Sequence, residues 1–219
     1  LTADRVSSHG RSSMTTASAP AASAPPPPPA PAAYPITYEV DLPERLSRWK
    51  WLIKGILLIP HILIFYVLGL LLGIAYFVAW VAILITGKFP RVLFDFMVGV
   101  TRWTARITSY GYHLTDKYPP FSMAEGKAYP VRFGAAYPEK SSRVKAFFRW
   151  LLAIPHWIVV GVLAYVLAAL LLIHIVIVII TGKPSSGIFK LMAGITRWNM
   201  RVVGYVFLFT DQYPPFSLN

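Results

Sequence analysis

Hydrophobic residues are concentrated in two long stretches, residues 62–86 and 157–181, and neither stretch contains Asp, Glu, Lys or Arg. A helix of 25 residues is about 37 Å long, which is enough to cross the roughly 30 Å hydrocarbon layer of a membrane with some tilt. Because lipid offers no hydrogen-bond partner to a backbone amide, each stretch is predicted to be a membrane-spanning helix.

A segment of mixed apolar and basic residues precedes each stretch, at residues 44–59 and 139–154. This pattern is typical of an amphipathic helix at a membrane surface, where long basic side chains reach the lipid head groups. Pro60 and Pro155 follow these segments and are predicted to break or kink the surface helices. The basic residues are Arg45, Arg48, Lys50 and Lys54 in the first segment, and Lys140, Arg143, Lys145 and Arg149 in the second.

A third segment follows each hydrophobic stretch, at residues 89–114 and 187–209, and allows two interpretations. In the first of these segments Arg102, Arg106 and His113 fall on one helical stripe opposite an apolar and aromatic face. Such a helix either lies flat in the membrane interface or crosses the membrane as the second arm of a hairpin, with Gly87 capping the first arm.

The distribution of basic residues favours the hairpin. If the third segments did not cross, the two halves of the chain would expose matching basic segments on opposite sides of the membrane, whereas crossing keeps most Lys and Arg on one side. The hairpin places Arg102 about 18 Å along a helix that starts at Pro90. Inserting an arginine into the membrane at this depth costs about 2.5–3.5 kcal/mol. We therefore expect an all-α membrane protein in which each unit has an amphipathic interfacial helix and a transmembrane helical hairpin. Four spans are favoured, and two spans with in-plane helices are the alternative.

The chain contains two copies of one unit, offset by 95 residues, the interval from Thr115 to Thr210. The octapeptide TDKYPPFS at residues 115–122 returns as TDQYPPFS at residues 210–217, and the motifs IPH, TGK and TRW recur at the same offset. Basic, proline and tryptophan positions coincide along the whole unit, which chance similarity between two apolar sequences does not explain. We assign repeat 1 to residues 34–124 and repeat 2 to residues 125–219.

Composition agrees with a membrane protein. Of the 219 residues 56% are hydrophobic and 14% are charged, the mean hydropathy is +0.54, and the formal net charge is +12. The basic residues flank the apolar stretches and form no separate patch, so they indicate contact with anionic lipid head groups, and no nucleic acid is predicted as a partner. The chain has no cysteine, which excludes disulfides and cysteine metal sites.

The N-terminal segment differs from the rest of the chain. Residues 17–33 are all Ala, Pro or Ser, so residues 1–33 are predicted to form a disordered, extended tail. Residues 1–13, before Met14, are candidates for a leader that is absent from the mature protein. The basic loops predict a multi-pass membrane protein with a cytoplasmic N-terminus.

These motifs resemble those of a bacterial, largely actinobacterial, membrane family known as domain of unknown function 4389. The resemblance covers residues 34–219 and rests on LPERLSRWKW, ITGKFPR, GVTRW and TDKYPPFS, with IPH, TGK, GITRW and TDQYPPFS in repeat 2. It implies two tandem copies of a membrane domain in a bacterial plasma membrane, and it implies no activity. Repeat 2 has Lys190 where repeat 1 has Asp95, so a role for Asp95 is not expected to be duplicated.

Pairs of arginines are the main candidates for a binding site. Arg102 with Arg106, and Arg197 with Arg201, are four residues apart, so each pair forms a two-pronged cationic group suited to phosphate. The alternative is that these side chains extend to the interface and fix the depth of the helix. We predict a lipid or anion site at these pairs and at the basic residues of the surface segments, namely Arg45, Arg48, Lys50, Lys140, Arg143 and Lys145.

Histidines provide few candidates for catalysis or metal binding. His61 and His156 follow the prolines and are the candidates for a metal or haem ligand, but a hydrogen bond to a carbonyl freed by the proline is the simpler interpretation. His174 is expected to form a helix–helix hydrogen bond. Neither repeat contains a Ser/His/Asp group, a carboxylate pair or a glycine-rich phosphate loop, so neither an enzyme nor a cofactor is predicted.

These features predict a non-catalytic integral membrane protein, an accessory or scaffolding subunit that associates with a larger membrane complex and with anionic lipids. The alternative is a small transporter or an anion-binding or lipid-binding channel, because pseudo-symmetric halves often frame a substrate path. Four spans are few for a carrier, so this alternative requires a homo-oligomer.

Overall fold

The computed structural model describes residues 34–126 and 128–218. Within these residues it contains the helices α1 Lys50–Thr86, α2 Arg91–Gly111, α3 Arg143–Thr181 and α4 Ser186–Val206, and the strands β1 Ile36–Val40 and β2 Val131–Ala135. The predictions of a mostly helical protein and of two tandem repeats are confirmed, since each repeat contributes a strand, a long helix and a shorter helix in the same order. The tail predicted to be disordered lies outside the described residues.

Each long helix continues through its proline, so the prediction of a separate surface helix broken off at Pro60 and at Pro155 is wrong, while a kink at these prolines stays a prediction. A proline inside a helix removes one backbone hydrogen bond and costs about 3 kcal/mol. Here packing continues on both sides of the proline, because the buried positions of α1 recur every seven residues along one face. These positions are Lys54, His61, Leu68 and Ala75.

α1 and α3 are the two helices in the described part of the chain that are long and apolar enough to cross a membrane. A core helix of a soluble protein can be equally long and apolar, but it is mostly buried. Here only 17% of the most apolar 18-residue segment of each helix is buried inside this protein. Exposed Leu, Ile, Val, Phe and Trp side chains follow both helices along their length. α2 and α4, which the four-span interpretation requires as further spans, are not candidates by this criterion.

β1 and β2 form a two-stranded antiparallel sheet whose register reflects the repeat. Tyr38 pairs with Phe133, which is its own counterpart at the offset of 95 residues. A pseudo-twofold axis therefore passes between Tyr38 and Phe133 and relates the two repeats. Neither strand was expected from the sequence, because five residues with alternating burial are too few to distinguish a strand from a loop.

The strands are exchanged between the repeats. β1 of repeat 1 packs on α4 of repeat 2, and β2 of repeat 2 packs on α2 of repeat 1. The tyrosines that precede the strands also bond to the other repeat. The hydroxyl of Tyr34 donates to the carbonyl of Gln212 at 3.1 Å, and that of Tyr129 donates to the carbonyl of Lys117 at 2.9 Å. With the contacts α1–α2, α3–α4 and α1–α3, the six elements form a closed ring in which neither repeat is complete by itself.

α1 and α3 run antiparallel. The amide of Leu46, just before α1, donates to the carbonyl of Gly182 at the end of α3, at 3.1 Å. The amide of Ser141, just before α3, donates to the carbonyl of Gly87 at the end of α1, at 2.9 Å. Because the pseudo-twofold axis relates these two ends, the sheet that lies on this axis is level with the middle of the long helices.

Candidate functional site

The repeated octapeptide folds back onto its own hairpin and encloses a histidine. In repeat 1 the ring of His61 stacks on Phe121 with 4.0 Å between ring centroids, and the rings of Trp103 and Tyr118 lie 5.6 and 5.1 Å away. His61 is fully buried, and neither ring nitrogen has a hydrogen-bond partner among the described residues. The octapeptide therefore supplies two walls of an aromatic cage, with α2 supplying the third.

Repeat 2 builds the same cage around His156. Its ring stacks on Phe216 at 4.2 Å between centroids, and the indole N–H of Trp198 donates to Nδ1 of His156 at 3.3 Å. Among the described residues no group of three or more His, Cys, Asp or Glu side chains is placed to share a metal ion. Aromatic rings contact both histidines, and a metal or haem role for them stays a prediction.

The arginine pairs bind backbone carbonyl oxygens. Arg102 donates from Nε to the carbonyl of Phe133 at 2.9 Å and from Nη1 to that of Met123 at 2.8 Å. It thereby joins the strand of repeat 2 to the segment that follows the octapeptide of repeat 1. Arg197 makes the equivalent bonds, both at 3.0 Å, to Tyr38 and Leu218.

The second arginine of each pair holds the same segment one turn later. Arg106 donates to the carbonyls of Ser122 and Ala124 at 3.1 and 2.8 Å. Gly99 allows this close approach, since a Cβ atom at that position would lie 2.9 Å from the Cβ of Met123. The counterparts in repeat 2 are Arg201, which donates to the carbonyl of Ser217 at 3.3 Å, and Gly194. These contacts account for the recurrence of Gly and Arg in the GxTRW motif, and phosphate binding at the four arginines stays a prediction.

A buried ion pair joins each long helix to its octapeptide. Nζ of Lys54 lies 2.9 Å from Oδ1 of Asp116 and donates to the carbonyl of Thr115 at 2.8 Å, while the amide of Ser47 donates to Oδ2. In repeat 2 the same positions are occupied by Arg149, Asp211, Thr210 and Ser142.

Lys54 is 3% exposed, so its assignment to a lipid-facing basic segment is wrong. The repeat contained a signal for this pairing, because a cation at 54 and 149 and an aspartate at 116 and 211 recur at one offset.

Two histidines join the ion pair of Lys54 and Asp116, namely His113 of repeat 1 and His174 on α3 of repeat 2. Nζ of Lys54 donates to Nδ1 of His113 at 2.8 Å, and Nε2 of His174 donates to the carbonyl of His113 at 3.2 Å, a bond to a turn rather than the expected bond to a helix. We name Lys54, His113, Asp116 and His174 the polar cluster. The counterpart of His113 is Leu208 in repeat 2, and the counterpart of His174 is Ala79 in repeat 1.

The polar cluster determines the protonation states of His113 and Asp116, its two members that lie outside the long helices. Burial lowers the pKa of His113 to about 4, and the ammonium group of Lys54 acts in the same direction. Burial alone would raise the pKa of Asp116, but the amide of Ser47 and the ammonium group of Lys54 outweigh it and hold this pKa below the ordinary value. At neutral pH His113 is therefore neutral and accepts a hydrogen bond, while Asp116 is charged.

The remaining predicted residues lie at the ends of the long helices. Lys50 is the first residue of α1, and Lys145 donates to the carbonyl of Asp211 at 3.2 Å. Asp95 pairs with Arg91 at 3.1 Å on an exposed surface. The other four predicted basic residues are exposed beside the glycine caps of α1 and α3, namely Arg45, Arg48, Lys140 and Arg143.

A family model described as Domain of unknown function (DUF4389) matches residues 48–123 and 143–217. No curated protein and no solved structure matches the chain. Both matched ranges contain a histidine cage, an arginine pair and an ion pair, and both begin after the strand of their repeat.

Substitution of Lys54 tests the buried ion pair. Lys54→Met is expected to destabilise the protein by about 3 kcal/mol, because it leaves Asp116 as a buried charge without its partner. Lys54→Arg copies repeat 2 and is expected to stay close to the wild type. Unfolding of the full chain in detergent micelles measures both, with Lys50→Met as the control at a nearby cation. A loss for Lys54→Arg as large as that for Lys54→Met would contradict the interpretation of the site as an ion pair.

The polar cluster also predicts a pH dependence. The pKa of His113 in the folded protein, about 4, is below its unfolded value of 6.5. The stabilisation from a neutral His113 is therefore fully present above pH 6.5 and is lost as the pH falls towards 4. His113→Leu copies repeat 2 and is expected to remove this part of the dependence. Thermal unfolding across this range should show a steeper fall of Tm for the wild type than for the variant, and equal slopes would refute the assignment.

Proposed function

Since this chain belongs to the family of the domain of unknown function (DUF4389), whose description assigns no activity, we propose its function from its own surfaces. The protein is a non-catalytic scaffold embedded in a membrane, an accessory subunit that associates with a larger membrane complex and with anionic lipids. The observation that carries this proposal is the exposed apolar surface of α1 and α3, on a unit whose buried cations are all held by internal contacts.

The size of the apolar surface supports embedding in lipid. Soluble monomers rarely expose a contiguous apolar patch larger than a few hundred Å². Here large apolar side chains are exposed from Trp49 to Ile85 along α1 and from Val144 to Ile180 along α3. Water is a poor solvent for such a surface, and the hydrocarbon of a membrane is a good one.

The lengths of these helices favour an orientation along the membrane. α1 has 37 residues and α3 has 39, so they are about 55 and 58 Å long, nearly twice the roughly 30 Å thickness of the hydrocarbon layer. The uncharged part of α1, residues 55–86, is itself about 48 Å long. To span, it would have to tilt by about 50°, whereas spanning helices tilt by roughly 0–40°.

The sheet supports the same orientation. Its exposed face carries ion pairs from Arg132 to Glu39 at 3.2 Å and to Asp41 at 2.7 Å. The sheet is level with the middle of the long helices, so helices crossing the bilayer would bring these charges to the depth of its hydrocarbon core, where charges are costly. Helices lying along the membrane instead leave the sheet in water on the opposite side of the molecule.

Two tyrosines give a third argument. Tyr66 is 78% exposed and Tyr165 is 82% exposed, and each lies about 24 Å from the nearer end of its helix. In a spanning helix both phenol groups would reach the bilayer centre, although tyrosine prefers the interface. Helices that lie along the membrane keep both groups at interfacial depth.

The proposed orientation replaces the four-span arrangement that the loop charges favoured. Four spans would place α2 and α4 across the bilayer, together with the segments that their arginines hold. The proposal retains a bilayer location, with a bacterial plasma membrane and a cytoplasmic N-terminus as its expected setting.

An oligomeric channel or transporter is the second candidate, and the charged sheet is the observation that favours it. If α1 and α3 do cross the bilayer, Glu39, Asp41 and Arg132 at mid-depth require a water-filled path. A single ring of six elements encloses no such path in its packed interior, so several copies would have to surround one. The orientation of α1 and α3 therefore decides between the two candidates.

Labelling of single cysteines tests the orientation, on a chain that has no cysteine of its own. We expect Thr37→Cys, Lys88→Cys and Lys183→Cys to react with a membrane-impermeant maleimide from the same side, because the sheet and both long-helix ends face one compartment. Lys88 and Lys183 labelled from opposite sides would indicate two antiparallel spans. These two labelled from one side and Thr37 from the other would indicate four spans.

The scaffolding role predicts a stoichiometric partner. Purification from its native membrane in a mild detergent is expected to retain a membrane complex together with the full chain. Replacement of the exposed Leu63 and Ile158 by Lys introduces charge on the apolar surface and is expected to reduce recovery in the membrane fraction, while Thr37→Lys on the sheet serves as the control. A monomer that is recovered alone under several mild conditions would contradict the scaffolding role.

A further inference from the structure

Most cations of the described residues are held by internal contacts. Four of them have carboxylate partners, namely Lys54, Arg91, Arg132 and Arg149. The arginine pairs of α2 and α4 donate to backbone carbonyls. Six exposed side chains around the two glycine caps have no ion pair and no side-chain hydrogen bond among the described residues. They are Arg45, Arg48 and Lys183 at one end of the long helices, and Lys140, Arg143 and Lys88 at the other.

Both repeats contribute to each group of three. Arg45 and Arg48 belong to repeat 1 and Lys183 to repeat 2, and the bond from the amide of Leu46 to the carbonyl of Gly182 holds them together. The second group has the reciprocal composition, with Ser141 bonded to Gly87. We name the groups corner 1, which contains Lys183, and corner 2, which contains Lys88.

Corner 1 surrounds a cavity of about 350 Å³ that has no carboxylate in its lining. Gly182 has φ 71°, and a Cβ there would lie 3.3 Å from Nε of Arg48, so the glycine leaves room for the guanidinium group. Corner 2 repeats this geometry, with Gly87 at φ 71° and Nε of Arg143 at 3.6 Å. One cation is enough to complement the negative end of a helix, whereas three cations without a paired carboxylate create a positive potential that attracts an anion.

We propose that each corner binds the phosphate group of an anionic glycerophospholipid, so that one chain binds two such lipids. The three cations give charge-assisted hydrogen bonds to the phosphate oxygens. Exposed Trp49 beside corner 1 and Trp150 near the start of α3 sit at the apolar edge, where the acyl chains would continue along the long helices. This inference rests on the proposed function, since the acyl chains need α1 and α3 to be in the membrane.

The experiment counts bound lipids on the full chain. The purified protein is equilibrated with phosphatidylglycerol in micelles and analysed by native mass spectrometry, and two retained lipids are expected. Arg48→Gln with Lys183→Gln should retain one lipid, and the further addition of Arg143→Gln with Lys88→Gln should retain none, with at least about a ten-fold loss of affinity per corner. Lys117→Gln with Lys190→Gln removes equal charge elsewhere and should retain two.

A second arm identifies the source of the phosphate. Inorganic phosphate and glycerol phosphate at millimolar concentration are expected not to displace the lipid; displacement by either would assign the corners to a soluble anion and overturn the lipid proposal. Equal lipid numbers for the wild type and the four-substitution variant would also overturn it, leaving the cations with only a helix-capping role. Flotation with neutral vesicles separates this result from the proposed function, because insertion through the apolar faces should be unchanged in every variant.

Discussion

The hydrogen bond from an arginine of one repeat to a strand carbonyl of the other is the interaction on which the rest of the fold depends. A two-stranded sheet has two open edges, and the outward carbonyls of Tyr38 and Phe133 need partners once helices cover them. Arg197 and Arg102 supply these partners and also hold the segments that follow the octapeptides. The sheet edge, the octapeptide and the histidine cage are therefore linked through one arginine side chain in each repeat, so the positions of these parts depend on one another.

Comparison of the two repeats separates what the fold requires from what has been added at one of its two ion pairs. Cage, arginine pair and buried ion pair occur in both repeats, whereas His113 and His174 lie only beside the ion pair of Lys54, and their counterparts beside the other ion pair are Leu208 and Ala79. The same left-handed turn holds His113 at φ 60° and Leu208 at φ 70°, so histidine is not needed to form it. A buried ion pair is weak evidence for stability, but here it fixes the position of the octapeptide against the start of each long helix.

Much of this arrangement could be predicted from the sequence, and what could not depends on contacts between distant residues. The repeated motifs revealed the two units, and the length of the two segments without charged residues revealed the two long apolar helices. The strands were missed because their stability comes from pairing across 95 residues rather than from local pattern. Lys54 was assigned to the lipid-facing surface because a basic residue on an apolar helix is usually exposed. Its partner Asp116 lies 62 residues away, so local sequence does not reveal the ion pair. The arginine pairs were recognised as important, but their carbonyl partners on another repeat could not be read from spacing.

The exchange of strands also removes a difficulty that the sequence raised. As part of a spanning helix, Arg102 would lie deep in hydrocarbon at a cost of several kcal/mol. In the closed ring it faces the sheet, on the side away from the exposed apolar surface of α1, and its donors are occupied by carbonyls. The molecule thus keeps its apolar surface on one side and its charged sheet on the other, and a symmetric unit with two such faces can hold lipid on one side and a water-facing partner on the other. That sidedness supports the proposed role as a scaffold.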